Sequence, residues 1–337
     1  MKNKQWKWYW KYGILISGSL LILYLVLSVI NMVNNTPDET TLISTRLTLG
    51  YIPNIQFAPV YVAIEKGYFE DAGFEVTLEY GSETDAVALV GSGNQTFAVA
   101  SGEQVLLARA QGLPVVYVAA WYQNYPVGVV SFSEAQTESP QDLKDMTIGI
   151  PGLYGASYIG FKALLNAGDL TENDVNLLSI GFNQVEAMVS EQVDASVVYL
   201  ANEPVMLRSQ GYDVNVIRVS DYMQLVSNGL VTNETTRREH PEQVSGCIKA
   251  LLKGISDTIE NPDEAYEISK KYVENLAEAD ETVQREVLDE SIDLWKTQRP
   301  GFSEPTGWMN MQQVLLDMGL LEEALDLNEA FTNDLLP

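Results

Sequence analysis

Residues 47–80 read LTLGYIPNIQFAPVYVAIEKGYFEDAGFEVTLEY, and this stretch decides the fold. Leu47 to Tyr51 alternates and is rich in β-formers, which reads as a strand. Pro53 and Asn54 break it, and Pro59 suits the first turn of a helix carrying Val60, Tyr61, Ala63 and Ile64. Gly67 ends that helix. Phe74 to Tyr80 alternates again, with Val76, Leu78 and Tyr80 on one face. The product is a β-α-β unit whose polar turn lies at the carboxyl end of its first strand, where open α/β sheets bind ligands.

Working outward, the alternation of short strands and helices continues. Asp85 to Val90 reads as a helix, Thr96 to Ala100 as a buried strand, Ser101 to Ala110 as a helix and Val115 to Ala120 as an apolar strand. Val127 to Phe132 leaves this lobe. The pattern then restarts with strand Thr147 to Ile150, a glycine loop over 151–157 and a helix to Ala167. Strand Asn176 to Gly181, helix Asn183 to Ser190, strand Ala195 to Tyr199, helix Asn202 to Ser209 and strand Val214 to Val219 follow, and Leu225 to Thr232 leads back. From Glu239 to Leu336 the reading is helical, with amphipathic runs over 242–260, 263–276 and 280–297. The expectation is α/β: two Rossmann-like lobes joined by two crossover strands, with lobe 1 from 46–130 and 230–337 and lobe 2 from 131–229.

The string GYIPNIQFAPVYVAIEKGYF closely resembles the substrate-binding proteins of ABC importers for thiamine pyrimidine precursors and riboflavin. The resemblance extends through VASGEQVLLARAQGLPVV (99–116), GYDVNVIRVSDY (211–222), NGLVTNE (228–234) and TIENPDEAYEISKKY (258–272), so it covers nearly everything after residue 45. Its wording is nearest to the riboflavin-binding members. It implies a bilobed periplasmic-binding-protein-like fold of type II, a small-molecule ligand, and a permease and an ATPase as partners.

The chain has 337 residues, with 46 acidic against 20 basic side chains and a net charge of −26. Nucleic acid is an unfavourable partner for such a surface, which instead serves solubility or repels anionic lipid heads. Lys2, Lys4, Lys7 and Lys11 precede the first acid, Asp38, and Tyr12 to Pro37 carries no charge. The apolar heart, residues 13–33, is long enough at about 1.5 Å per residue to cross a hydrocarbon core of about 30 Å. Lysines before it and acids after it place residues 1–12 in the cytoplasm and the body outside, with 34–45 as a tether. No alanine occurs before Ala58 and the one cysteine is Cys247, so neither a signal-peptidase site nor a lipoprotein cysteine is visible. The expectation is an uncleaved single-pass anchor in the cell membrane. Cys247 reads as a buried apolar residue, and one cysteine cannot form an internal disulfide.

Two such lobes put their strand-end loops face to face, here 51–59, 81–85, 100–104, 121–126, 151–158, 199–204 and 224–229. None contains Lys or Arg. They carry Phe57, Trp121, Tyr122, Tyr154, Tyr158 and Tyr199 as candidate aromatic walls, and Asn54, Asn228, Glu103 and Glu203 as candidate polar contacts. Glu203 also suits a helix start and Glu103 a first turn, where carboxylates meet the dipole favourably. Glu83 and Asp85 read equally well as solvated loop acids. A flat, neutral heteroaromatic ligand fits this inventory, because a ring between aromatic faces gains about 0.5–1.5 kcal/mol per stacked pair beyond its burial. GIPGLYGAS (149–157) matches neither phosphate-loop pattern.

The expected function is capture of riboflavin for delivery to a permease. A formylated aminopyrimidine is the alternative ligand, and a pyrimidine-precursor synthase the alternative activity. The synthases of this family use a histidine, pyridoxal phosphate, iron and a cysteine-rich stretch, whereas here His240 and Cys247 each stand alone. No catalytic residue, cofactor or metal is therefore expected.

Overall fold

The unit read from residues 47–80 forms as strand β1 (Ile43–Leu49), a 3-10 turn (Ile55–Phe57), a helix (Ala58–Glu65) and strand β2 (Phe74–Tyr80). Pro59 sits in the first helical turn and Gly67 adopts φ +71 just beyond the last. In the computed structural model, which describes residues 42–337, the remaining strands are β3 (Phe97–Ala100), β4 (Val115–Ala120), β5 (Val127–Phe132), β6 (Thr147–Ile150), β7 (Asn176–Ser179), β8 (Ala195–Tyr199), β9 (Val214–Arg218) and β10 (Gly229–Asn233). The membrane helix expected over 13–33 lies outside the described residues. Among those residues no helix is long and apolar enough to cross a membrane.

The strands form two five-stranded sheets, ordered β2-β1-β3-β10-β4 and β7-β6-β8-β5-β9. In the first, β1 runs parallel to β2 from Ile43 opposite Phe74 to Leu49 opposite Tyr80, and parallel to β3. β10 enters antiparallel between β3 and β4. The second sheet mirrors this: β6 is parallel to β7 and β8, and β5 lies antiparallel between β8 and β9. The chain thus crosses between sheets after β4 and returns before β10. Each lobe owns one strand from the far side of a crossing, giving a bilobed fold like that of periplasmic binding proteins. Every residue of β3, β4 and β10 is buried: β3 and β10 are central strands, and β4, at the sheet edge, is met by bridges from Tyr117 to Phe331 and from Ala120 to Gly301.

Helices of the last hundred residues cover the first sheet. Helix Pro241–Glu260 turns Val244, Ile248, Leu251 and Ile255 onto the core, and helix Glu281–Trp295 adds Val287, Leu288 and Trp295. Asp280 caps the latter, its Oδ1 accepting from Thr282 and Val283 N–H at 2.9 and 3.3 Å. Two expectations fail here. The helix read over 263–276 ends at Ser269, and in the turn beyond it Tyr272 stacks on Tyr61 with ring centroids 4.5 Å apart and planes nearly parallel. The helical reading to Leu336 also fails: after helix Pro305–Asp317, Gly319 turns the chain at φ +68. Beyond it only Leu327–Ala330 is helical, and Phe331 bridges to Tyr117 on β4.

At Gly229, the first residue of β10, an added Cβ would lie 2.1 Å from the Tyr117 hydroxyl and 2.3 Å from the Ala119 carbonyl oxygen. Gly229→Ala is expected to lower unfolding free energy by about 1–3 kcal/mol or more, as overpacking does. Urea denaturation followed by circular dichroism reads the loss.

Candidate functional site

The loops beyond β1, β2, β4, β6, β7 and β8 converge on a cavity of about 460 Å³ between the sheets. Tyr51, Gln56, Phe57, Tyr80, Glu83, Trp121 and Tyr122 line it from the first lobe. Pro151, Tyr154, Phe182, Gln184, Tyr199, Asn202 and Glu203 line it from the second, and Asn228 from the returning segment. No Lys, Arg or His is among its walls. The volume falls in the range of about 300–1,000 Å³ usual for small-molecule sites.

Local sequence explains how the first wall is aimed. Asn54 caps the 3-10 turn, its Oδ1 accepting from Gln56 N–H at 2.9 Å, while the Tyr61 hydroxyl donates to the Asn54 carbonyl at 3.2 Å. That double tie turns Gln56 and Phe57 toward the cavity. Gln56 is 6% exposed and its Nε2 has no protein partner. A buried donor without an acceptor is costly, and one facing a cavity is positioned for a ligand acceptor.

Trp121 and Tyr122 form the aromatic floor. Their rings lie 6.3 Å apart at 17°, with Phe57 at 6.0 Å and 70° from Trp121 and Trp295 at 6.3 Å behind it. Trp121 is 1% exposed yet borders the cavity, and its Nε1 is unpartnered. The backbone N–H groups of Trp121 and Tyr122 both donate to the Asn228 carbonyl, at 3.1 and 3.2 Å. Over the mouth, Tyr51 meets Phe182 of the other lobe edge to face at 4.9 Å. Phe182 and Tyr154 are otherwise open, 54% and 70% exposed.

Three glutamates stand at or behind the wall. Glu203 begins helix Glu203–Ser209, its carboxylate accepting from Tyr199 N–H at 3.0 Å and Asn202 Nδ2 at 3.1 Å. Burial raises its carboxyl above the ordinary range, and burial together with Glu203 pushes the Tyr51 hydroxyl up to about 12. Glu83 accepts from Ser101 N–H at 2.9 Å and Asn228 Nδ2 at 2.7 Å. Glu103 is wholly buried behind it, and burial, with the Glu83 charge adding, pushes its carboxyl up to about 8. The site can thus sandwich a flat ring and accept N–H or O–H donors at carboxylate edges.

Of the residues singled out from the sequence, Phe57, Trp121, Tyr122, Tyr154, Tyr199, Glu203 and Asn228 come together on the cavity. Asn54, Glu103 and Tyr158 do not line it. Asn54 caps the turn beside it, Glu103 stands one layer behind, and Tyr158 packs half-buried against the core of the second lobe. Glu83 is not a solvated loop acid. Gly50 makes room for it, since a Cβ there would lie 2.4 Å from Glu83 Cγ and Oε1. Phe182, Tyr80, Gln184 and the backing Trp295 were not singled out. Phe182 had a signal, as an aromatic in the loop after strand Asn176–Ser179, whereas nothing local marks Trp295, which arrives from a distant helix.

The NMT1/THI5-like family description matches residues 54–265. The chain is 38% identical to the riboflavin-binding protein RibY of Chloroflexus aurantiacus, over 89% of this chain and 88% of that one. It is 30% identical to a formylaminopyrimidine-binding protein of Halalkalibacterium halodurans, over 95% and 98%. In fold it is similar to the periplasmic aliphatic sulphonate binding protein SsuA of Escherichia coli, with a TM-score of 0.70, 13% identity, and 86% and 92% of the two chains covered.

Glu203→Ala is expected to orphan the Tyr199 N–H and the Asn202 amide, at a cost of about 1–3 kcal/mol in unfolding free energy. Glu203→Gln, which keeps an acceptor, should lose less. Chemical denaturation of both variants separates the two.

Proposed function

The chain belongs to the NMT1/THI5-like family, and from that premise we propose that it is the extracytoplasmic solute-binding subunit of an ABC importer, capturing riboflavin between its lobes. The carrying observation is the cavity itself: aromatic faces, amide and carboxylate edges, and no cation. An anionic ligand would be expected to call for Arg or Lys, while a neutral tricyclic ring with a polyol tail matches the walls. In this reading Trp121, Tyr122, Phe57, Tyr154 and Tyr199 enclose the ring. Gln56, Glu83, Glu203 and Asn228 meet its donors and acceptors. The strand exchange between the sheets supports the type II form of the bilobed fold, in which the two crossing segments act as the hinge.

Binding shifts an open-closed equilibrium, and only the closed, liganded form docks productively on the permease. No catalytic step is needed. His240 is exposed beside Glu242 and Cys247 is buried in the helix core, so neither reaches the cavity. The apolar segment 13–33 would hold this body at the outer face of the cell membrane as a single-pass anchor, with the lysines inside. A pyrimidine precursor is the second reading, favoured by the 30% identity to a formylaminopyrimidine-binding protein.

Adding the purified full chain to riboflavin is expected to quench flavin fluorescence with saturation. Saturable binding of formylaminopyrimidine without a flavin response would transfer the assignment to the pyrimidine. Trp121→Ala should weaken riboflavin binding about tenfold or more, the equivalent of about 1.4 kcal/mol for the lost stacking face. Unchanged affinity would place that ring in the core alone.

A further inference from the structure

Ser101 stands between two carboxyl groups. Its Oγ lies 2.6 Å from Glu83 Oε2 and also contacts Glu103 Oε1. A hydroxyl carries one hydrogen, so it donates to one side and accepts from the other, and the group on its accepting side must bring a proton of its own. The remaining contacts decide which group that is. Glu83 accepts from Ser101 N–H and from Asn228 Nδ2 as well as from the hydroxyl. Glu103 has, besides Ser101, its own backbone N–H and the Gln104 amide at 3.5 Å, and its Oε2 is buried without a partner. Burial raises both carboxyls, but three close donors favour the charged form at Glu83, whereas the weaker contacts and unpartnered oxygen of Glu103 favour the neutral acid there.

We propose that Glu103 is a neutral acid that donates to Ser101, which donates in turn to an ionised Glu83, and that this shared proton makes Glu103 a positioning residue for the cleft. The chain of bonds ends on the cavity wall. Glu83 fixes the Asn228 amide by taking its Nδ2, which leaves Oδ1 to accept from the Tyr199 hydroxyl and from Ser227 Oγ, each at 3.2 Å. The Tyr199 hydrogen is thereby committed, and the wall offers the ligand oxygen acceptors from Glu83 and Tyr199.

The titratable groups facing the relay come from four neighbours: Glu83 after β2, Tyr117 on β4, Tyr125 before β5 and Tyr199 ending β8, with Tyr122 and Glu203 bearing on Tyr199. None of the ion pairs among the described residues includes Glu83 or Glu103. As pH rises, the proton is lost with nothing positive to offset the second charge. Because the folded carboxyl titrates near 8 and an exposed one near 4.5, stability from this group is complete below about 4.5 and lost as pH rises through about 8.

The proposal deepens the binding reading and rests on it for affinity, so its first test needs no ligand. Infrared difference spectra of the full chain against Glu103→Gln, taken near neutral pH, are expected to show a protonated-carboxyl band in the wild type that the variant lacks. A wild-type spectrum without that band overturns the proposal whatever the cleft binds. Riboflavin affinity is then measured from pH 6 to 9 for both chains, so that ligand ionisation cancels. The wild type should weaken about tenfold over this range, one pKa unit of coupling, while Glu103→Gln, which keeps a donor toward Ser101, stays flat and within about threefold of the wild type at pH 6. A variant that unfolds, or that keeps the wild-type slope, contradicts it.

Discussion

The two crossing segments are tied to each other where Trp121 and Tyr122 donate their backbone N–H groups to the Asn228 carbonyl, and the cleft depends on that tie. β4 ends just before Trp121 and β10 begins just after Asn228, so the two hydrogen bonds continue the pairing of these strands to the edge of the cavity. The same residues supply the aromatic floor and the polar end of the Glu83 network. In the proposed binding reading, hinge and ligand contacts are therefore one piece of chain. On that proposal, a ligand pressed against Trp121 would bear directly on a crossing segment between the lobes.

Much of this could be read from the sequence because it was encoded locally. The alternation in 74–80, Pro59 at a helix start and Gly67 after its end each act within a few residues, and the elements formed where expected. The cleft's lack of cations was equally legible, since strand-end loops can be located from strands alone. What stayed hidden depends on distant partners. Trp295 reaches the wall from a helix some 170 positions after Trp121, and Tyr272 leaves its helical run to stack on Tyr61. In the sequence the reading of Glu83 stays open between a solvated acid and a site residue, because nothing near it announces Ser101 and Asn228. Asn54, Glu103 and Tyr158 sit close to the loops that form the cavity, but side-chain direction put each of them behind its surface.

Electrostatically the cleft is an extension of the acidic body, with carboxylates at its walls and no basic side chain of the described residues lining it. Burying such groups without cations is unfavourable unless hydrogen bonds satisfy them, and the Ser101, Asn228, Asn202 and Tyr199 donors do so. That arrangement repels anions while leaving acceptor oxygens available to a neutral ligand's N–H and O–H groups. The likeness in fold to a sulphonate-binding protein accordingly extends to the scaffold, whereas the chemistry of the walls belongs to this chain.

The claim that a cation-free aromatic cleft selects a neutral ring is tested most directly by titrating the full chain calorimetrically with riboflavin and with its 5′-phosphate ester. The ring and its stacking are the same in both, and only the phosphate charge differs. The account predicts that riboflavin binds at least about a hundredfold more tightly, roughly 2.7 kcal/mol. Equal affinity for the two, or preference for the phosphate ester, would contradict it.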